Sequence, residues 1–241
     1  KPGMTIIEAT SGNTGIGLSL VGVQKGYKVT CLMPENMSVE RKKIIQAFGG
    51  EIVFTSASES LSGCLKKMQE IIQEDPESYF VANQFTNPHN PAIHYSQTGA
   101  EIWDDMYGEV DIFVAGVGSG GSLQGIGKFL KEKNPDVKIV AVEPKNSAAL
   151  LGREPGLHQI QGIGDGFIPD VLDLEMVDMV FTVSDEEAIE TTRRLSKEEG
   201  LLAGTSSGAN VFVALHMDNG RNKVVTILPD RVERYFSTAL I

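Results

Sequence analysis

Lysine and arginine are in short supply: 21 of them face 32 aspartates and glutamates, for a formal net charge of −11. That balance argues against a nucleic-acid partner, because nonspecific affinity for a phosphate backbone comes from clustered cations, although a small anion can still bind locally. Cysteine is scarce as well. Cys31 lies in an apolar run and Cys64 in a helical pattern, and their spacing suits neither a disulfide framework nor a zinc site, so both read as core fillers. The histidines His89, His94, His158 and His216 form no pair at helical or zinc spacing, and no metal is expected. No run approaches the ~20 apolar residues of a membrane span, and no signal-peptide pattern opens the chain. The expectation is a cytosolic protein without a membrane partner. No Gly-x-Ser-x-Gly elbow supports a serine-hydrolase reading, and the lone tryptophan, Trp103 in AEIWDD, reads as a helix-packing residue.

What the chain does have is the composition of an ordinary globular protein, 41% hydrophobic and 22% charged over 241 residues, enough for one large α/β domain or two small ones. Apolar β-type runs alternate with helical patterns, the signature of a parallel sheet covered by helices on both faces. Strands are expected at Thr5–Ala9, Lys28–Met33, Glu51–Thr55, Ile112–Ala115, Lys138–Val142, Met179–Val183 and Val224–Leu228. The clearest helices are Gly15–Lys25, Val39–Phe48, Glu59–Glu74, Gly121–Lys133 and Asp185–Glu199, the last preceded by Ser184 with Glu187 three residues on, a capping box. Asn and Pro cluster in ANQFTNPHNPAIHYSQTGAEIW, where a helix is expected to start near Pro91. A domain junction is placed there, giving domains 1–82 and 83–241. The Gly-rich stretch LLGREPGLHQIQGIGDGFIP is too long for a bare connection and reads as functional or mobile.

Three loops of small residues share one design: TSGNTG (10–15), GVGSGGS (116–122) and AGTSSGAN (203–210). Each stands at a helix entry, where the first four N–H groups lack internal partners and the helix dipole favours an anion by roughly 0.3–2 kcal/mol. One such loop would be a tight turn as readily as a site; three together favour ligand binding. In the middle loop Gly116, Gly118 and Gly121 match the dinucleotide fingerprint, with Glu143 ending the next strand. That rival, a nicotinamide-dependent dehydrogenase, leaves the other two loops unexplained. Ser119 and Ser122 around two glycines suit a terminal phosphate monoester better than a bridging pyrophosphate.

Taken together with MPENMSVERKKIIQAFGGEIV, NQFTNPHNPAIHYSQTGAEIW, QGIGDGFIP and VVTILPD, the three loops resemble the cysteine synthase and cystathionine β-synthase family of fold-type II pyridoxal-phosphate enzymes, in order and spacing as well as wording. The resemblance implies two three-layer α/β domains with mostly parallel twisted sheets, like the tryptophan synthase β-subunit, with pyridoxal 5'-phosphate in the cleft between them, and a homodimer. It implies that Thr10, Ser11, Gly12, Asn13 and Thr14 take the substrate's α-carboxylate, that Asn13 also meets the phenolic oxygen of the cofactor, and that Gln84 completes the carboxylate site. Gly118, Ser119, Gly120, Gly121 and Ser122 match the phosphate cradle, with serine where the family usually has threonine. Ser206 matches the residue facing the pyridine nitrogen.

A neutral serine there makes the ring a weaker electron sink than a carboxylate would, which favours expelling a β-substituent over storing charge at Cα. The implied reaction is β-replacement through an aminoacrylate, O-acetyl-L-serine plus sulfide giving L-cysteine and acetate, with serine or cysteine as other candidate substrates. Asp165 departs from the family, which mostly carries a small apolar residue in QGIGDGFIP. It reads either as a solvated loop carboxylate or as a general base for water or a thiol, the second making a cysteine-consuming, sulfide-releasing enzyme. The family's Schiff-base lysine belongs upstream of the first loop; Lys1 is not at that position. The chain therefore reads as lacking the N-terminal part of the family fold, and any targeting segment with it.

Overall fold

The computed structural model describes residues 3–241. Lys1 and Pro2, with which the first expected domain opens, lie outside the described residues. The chain divides into two compact units, the first comprising the residues up to Gln84 with Glu233–Ala239 and Ile241, the second Phe85–Val232 with Leu240.

In the first unit β1 (Thr5–Ala9), α1 (Asn13–Lys25), β2 (Lys28–Pro34), α2 (Val39–Ala47), β3 (Glu51–Thr55), α3 (Ser60–Glu74) and β4 (Tyr79–Val81) follow one another. The sheet is parallel throughout, in the order β3-β2-β1-β4. All of β2 but its first residue is buried, which is why KVTCLMP is a continuous apolar run rather than an alternating one. Val29, Cys31, Met33 and Ile45 form the core with Ile6 and Ile16 against them. Burial pushes the Cys31 thiol up to about 12, so it is a core atom rather than a nucleophile. α1 stops at Gly26, whose left-handed φ of 75° lets its N–H return to the carbonyls of Gly22 and Val23.

The second unit opens with α4 (His89–Ile93), a single π turn (His94–Thr98) and α5 (Gly99–Asp105). β5 (Ile112–Gly116), α6 (Gly121–Lys133), β6 (Lys138–Pro144), β7 (Met179–Val183), α7 (Asp185–Glu198), α8 (Thr205–Met217) and β8 (Val224–Thr226) complete it. Its sheet is again parallel, in the order β7-β6-β5-β8. Alternate residues go to opposite faces: Phe113, Ala115, Ile139 and Ala141 pack with Leu123, Ile126 and Leu130 of α6, and Ile112, Val114, Val140 and Val142 with Ala188 of α7 and Ala209 and Val213 of α8. This makes a three-layer unit. The capping box forms at α7: Glu187 N–H donates to Ser184 Oγ (3.2 Å) and Ser184 N–H to Glu187 Oε2 (2.8 Å).

Both sheets share a switch point. The chain winds outward from β1 or β5 and then returns to add β4 or β8 on the opposite side, so a crevice opens at the carboxyl ends of the first and last strands of each sheet. The tail departs from a simple division at residue 83. Glu233–Ala239 belongs with the first unit, where Tyr235 is buried and Arg41 lies over its ring, 4.6 Å from the centroid. Among the described residues no helix is long and apolar enough to cross a membrane.

Candidate functional site

The first unit puts TSGNTG at its switch point, between the end of β1 and the start of α1. The Thr10 oxygen accepts from the N–H groups of Gly12 (2.9 Å) and Gly15 (3.3 Å), which folds the loop on itself. Gly12 holds a φ of 144° and a Cβ there would collide with Arg41 Cδ, so no other residue fits. The N-cap Gly12 offers α1 no side chain, and of the first-turn N–H groups that of Gly15 is held by Thr10. The turn after the neighbouring strand β4 contributes Gln84: Thr14 Oγ1 donates to Gln84 Oε1 (2.7 Å) and Gln84 Nε2 donates to the Ala9 carbonyl (2.7 Å). Thr10 to Thr14 and Gln84, which the sequence separates by some 70 positions, thus form one cluster.

Beneath this cluster lies Glu8, fully buried in β1 and not singled out by the sequence. Its carboxylate accepts from the N–H groups of Asn83 (2.6 Å) and Gln84 (3.3 Å). Burial pushes its carboxyl up to about 7 despite those donors, and Asn83 takes a left-handed φ of 56°, so Gln84 is held from both ends.

The second unit puts GVGSGGS at the corresponding place, after β5. Gly120 caps α6 in a left-handed conformation, φ 81°, again without a side-chain cap. A Cβ on Gly118 would run into the Gly162 carbonyl oxygen and stand 3.6 Å from Asp165 Oδ2. Asp165 therefore borders this loop; loss of water raises its carboxyl to about 6. The loop that carries it is fixed by His158, whose ring takes the Ile160 N–H at Nδ1 (3.2 Å) and bonds the Gly164 carbonyl at Nε2 (3.1 Å). Asn90 Nδ2 donates to Ser119 Oγ (3.0 Å), and Ser122 Oγ lies 3.1 Å from His94 Nε2. Neither Asn90 nor His94 was marked from the sequence. Their signal, a polar pair four residues apart at a helix start, is too common to notice. Ser206 is buried in the first turn of α8, where Thr205 Oγ1 and Ser207 Oγ are buried without a protein partner. Glu143, needed by a dinucleotide reading to hold a ribose, is buried and turned to the Leu150 N–H (3.1 Å).

A family model described as pyridoxal-phosphate dependent enzyme matches residues 1–230. The chain belongs to that family. It is 49% identical to cysteine synthase A of Escherichia coli K12, across all of this chain and 78% of that protein. Among solved structures it resembles O-acetylserine sulfhydrylase isoform 3 of Entamoeba histolytica (47% identity, TM-score 0.91, all of this chain and 72% of that one). It also resembles a hydrogen sulfide-producing enzyme of Fusobacterium nucleatum (42% identity, TM-score 0.92, covering 97% and 80%).

Pyridoxal-phosphate enzymes need several donors around a tetrahedral phosphate and a polar group at the pyridine nitrogen. The loop after β5 meets the first need, with two hydroxyls, side-chain-free positions for close approach and a helix N-terminus. The buried orphan hydroxyls at the start of α8 are unsatisfied polar groups of the kind a ligand completes. The residues present fit the cofactor, and the dehydrogenase reading is set aside.

Proposed function

We propose that this pyridoxal-phosphate enzyme performs β-replacement on a small amino acid, in the direction O-acetyl-L-serine plus sulfide to L-cysteine plus acetate. The observation that carries the reading is near-half identity with cysteine synthase A over the whole chain, joined to the neutral polar cluster of Thr14 and Gln84 at the uncapped helix entry after β1.

Ser11, Asn13 and Thr14, with the N–H groups of the first turn of α1, bind the substrate carboxylate. Gln84, fixed through Ala9 and Thr14, sets its orientation, and so selects which bond at Cα is labile. Asn13 also meets the cofactor's phenolic oxygen. Gly118, Ser119, Gly120, Gly121 and Ser122 hold the phosphate, and Ser206 offers the ring nitrogen a neutral hydroxyl. When bound, pyridoxal phosphate supplies the sink for the electron pair released at Cα.

A second reading rests on Asp165. A carboxyl near 6 is ionised at neutral pH yet basic enough to take a proton from water or a thiol at its Oδ atoms, and it repels hydrosulfide. The F. nucleatum neighbour is named for hydrogen sulfide production. In this reading cysteine is consumed and sulfide leaves.

Product analysis of the cofactor-loaded enzyme decides. Cysteine formed from O-acetyl-L-serine and sulfide, faster than sulfide leaves cysteine, supports the first reading; the reverse ratio overturns it. Asp165→Ala is expected to raise synthesis relative to sulfide release, and an unchanged ratio removes Asp165 from the chemistry.

A further inference from the structure

Building on the reading that Gly118 to Ser122 hold the cofactor phosphate, we propose that Asn90 and His94 are positioning residues that force the Ser119 and Ser122 hydroxyls to donate to that phosphate. A hydroxyl carries one proton and two lone pairs, whereas the amide nitrogen of asparagine can only donate. Asn90 Nδ2 donates to Ser119 Oγ, so the Ser119 proton is left for another acceptor. The same logic holds at Ser122. His94 sits between two hydroxyls, Nε2 at 3.1 Å from Ser122 Oγ and Nδ1 at 3.1 Å from Thr98 Oγ1. In the tautomer proposed, Thr98 donates to Nδ1 and the ring proton on Nε2 is given to Ser122, whose own proton is then available to the ligand. Burial lowers the basicity of His94 and keeps the ring neutral, as this relay requires.

The fold places the pair deliberately close. Asn90 is in α4 and His94 opens the π turn, one turn apart on the side facing α6. There α6 presents Gly121 and Gly125. A Cβ on Gly121 would overlap the Asn90 amide, and one on Gly125 would meet the Pro91 carbonyl oxygen and lie 2.7 Å from His94 Cβ. Serine makes the arrangement necessary. It lacks the second heavy atom on Cβ that restricts χ1 in threonine, so the rotamers of these two cradle hydroxyls are set by their hydrogen-bond partners.

The test reverses the donors. Apo-protein is titrated with pyridoxal phosphate and, separately, with pyridoxal, which lacks the phosphate; the phosphorus NMR shift of the bound cofactor is followed against pH. Asn90→Asp keeps the size but only accepts, and turns the Ser119 proton inward; the share due to its added negative charge is read from Asn90→Asp in a Ser119→Ala background, where no donor is left to reverse. Asn90→Asp alone is expected to weaken pyridoxal phosphate about ten- to hundredfold, more than Asn90→Ala does, while leaving pyridoxal unchanged. His94→Glu against His94→Gln repeats the comparison at the second hydroxyl, glutamine keeping a donor, and answers the question if the Asn90 variants do not fold. Asn90→Asp binding as tightly as wild type, or more tightly than Asn90→Ala, would reduce the residue to packing and overturn the proposal. Ser119→Ala separates the two levels. If it leaves affinity unaltered, the phosphate reading itself fails; if it weakens binding while the donor reversals do not, only the positioning role fails.

Discussion

The two sheets have the same strand order and the same switch point, yet they support their loops differently. In the first unit the loop after β1 is propped by long polar connections: a buried carboxylate, Glu8, gripping the backbone of Asn83 and Gln84, and a buried arginine, Arg41, filling the space left by Gly12. In the second unit the loop after β5 is propped by close backbone approach, with Gly118 against Gly162 and Gly121 against Asn90. On the proposed assignment the contrast follows the ligands: a flat carboxylate is gripped edge-on by an amide and a few donors, whereas a tetrahedral phosphate must be wrapped, and wrapping requires positions without side chains.

The largest effect is expected at Gly118. Gly118→Ala drives a methyl into a carbonyl that cannot yield, and is expected to cost about 3 kcal/mol of stability and to abolish cofactor affinity. Gly12→Ala should weaken amino-acid binding more than cofactor binding, which the loop meets only through Asn13. Denaturant melts with separate titrations of the two ligands check this; equal losses of both ligands in Gly12→Ala would mean the loops do not divide the work. Glu8 comes next. Its carboxyl is raised from an ordinary 4.5 to about 7, so the folded state prefers the protonated acid. Its contribution is full below the unfolded value and is lost as pH climbs through the folded one, about 3 kcal/mol in all. Glu8→Gln should flatten the fall in melting temperature between about pH 4.5 and 7, and a slope identical to wild type would contradict the assignment. Tyr235→Phe, which removes the acceptor 2.7 Å from Arg41 Nη2 but keeps the stacked ring, is expected to cost about 1.5 kcal/mol. Ser184→Ala, at a capping box remote from both loops, should cost about 1 kcal/mol and leave both affinities unchanged.

Strands dominated by β-branched and aromatic residues between turn-prone flanks are legible: Thr5–Ala9, Glu51–Thr55 and Met179–Val183 coincide with their expected bounds. β4 escaped because three residues, YFV, are too few for any period to register. α8 was recognised only as a helix entry. Its opening TSSGAN is poor in helix formers, and the buried side of that turn is decided by packing on β5 rather than by propensity. The small-residue loops could be found because their composition is local. Their supports could not, because Glu8 meets partners 75 and 76 residues away, and an acidic residue in a strand reads as facing water until its neighbours are known. Arg41 was hidden for the same reason: its partner Tyr235 lies 194 residues along the chain.

That separation has a consequence for synthesis on the ribosome. The unit begun first cannot be finished until Glu233–Ala239 has emerged, after the whole of Phe85–Val232. At elongation rates of roughly 5–20 residues per second, all of Phe85–Val232 has emerged while the first unit still waits for Tyr235. The second unit is therefore expected to mature ahead of the first, and a stalled chain ending before Tyr235 would expose Arg41, which is otherwise buried.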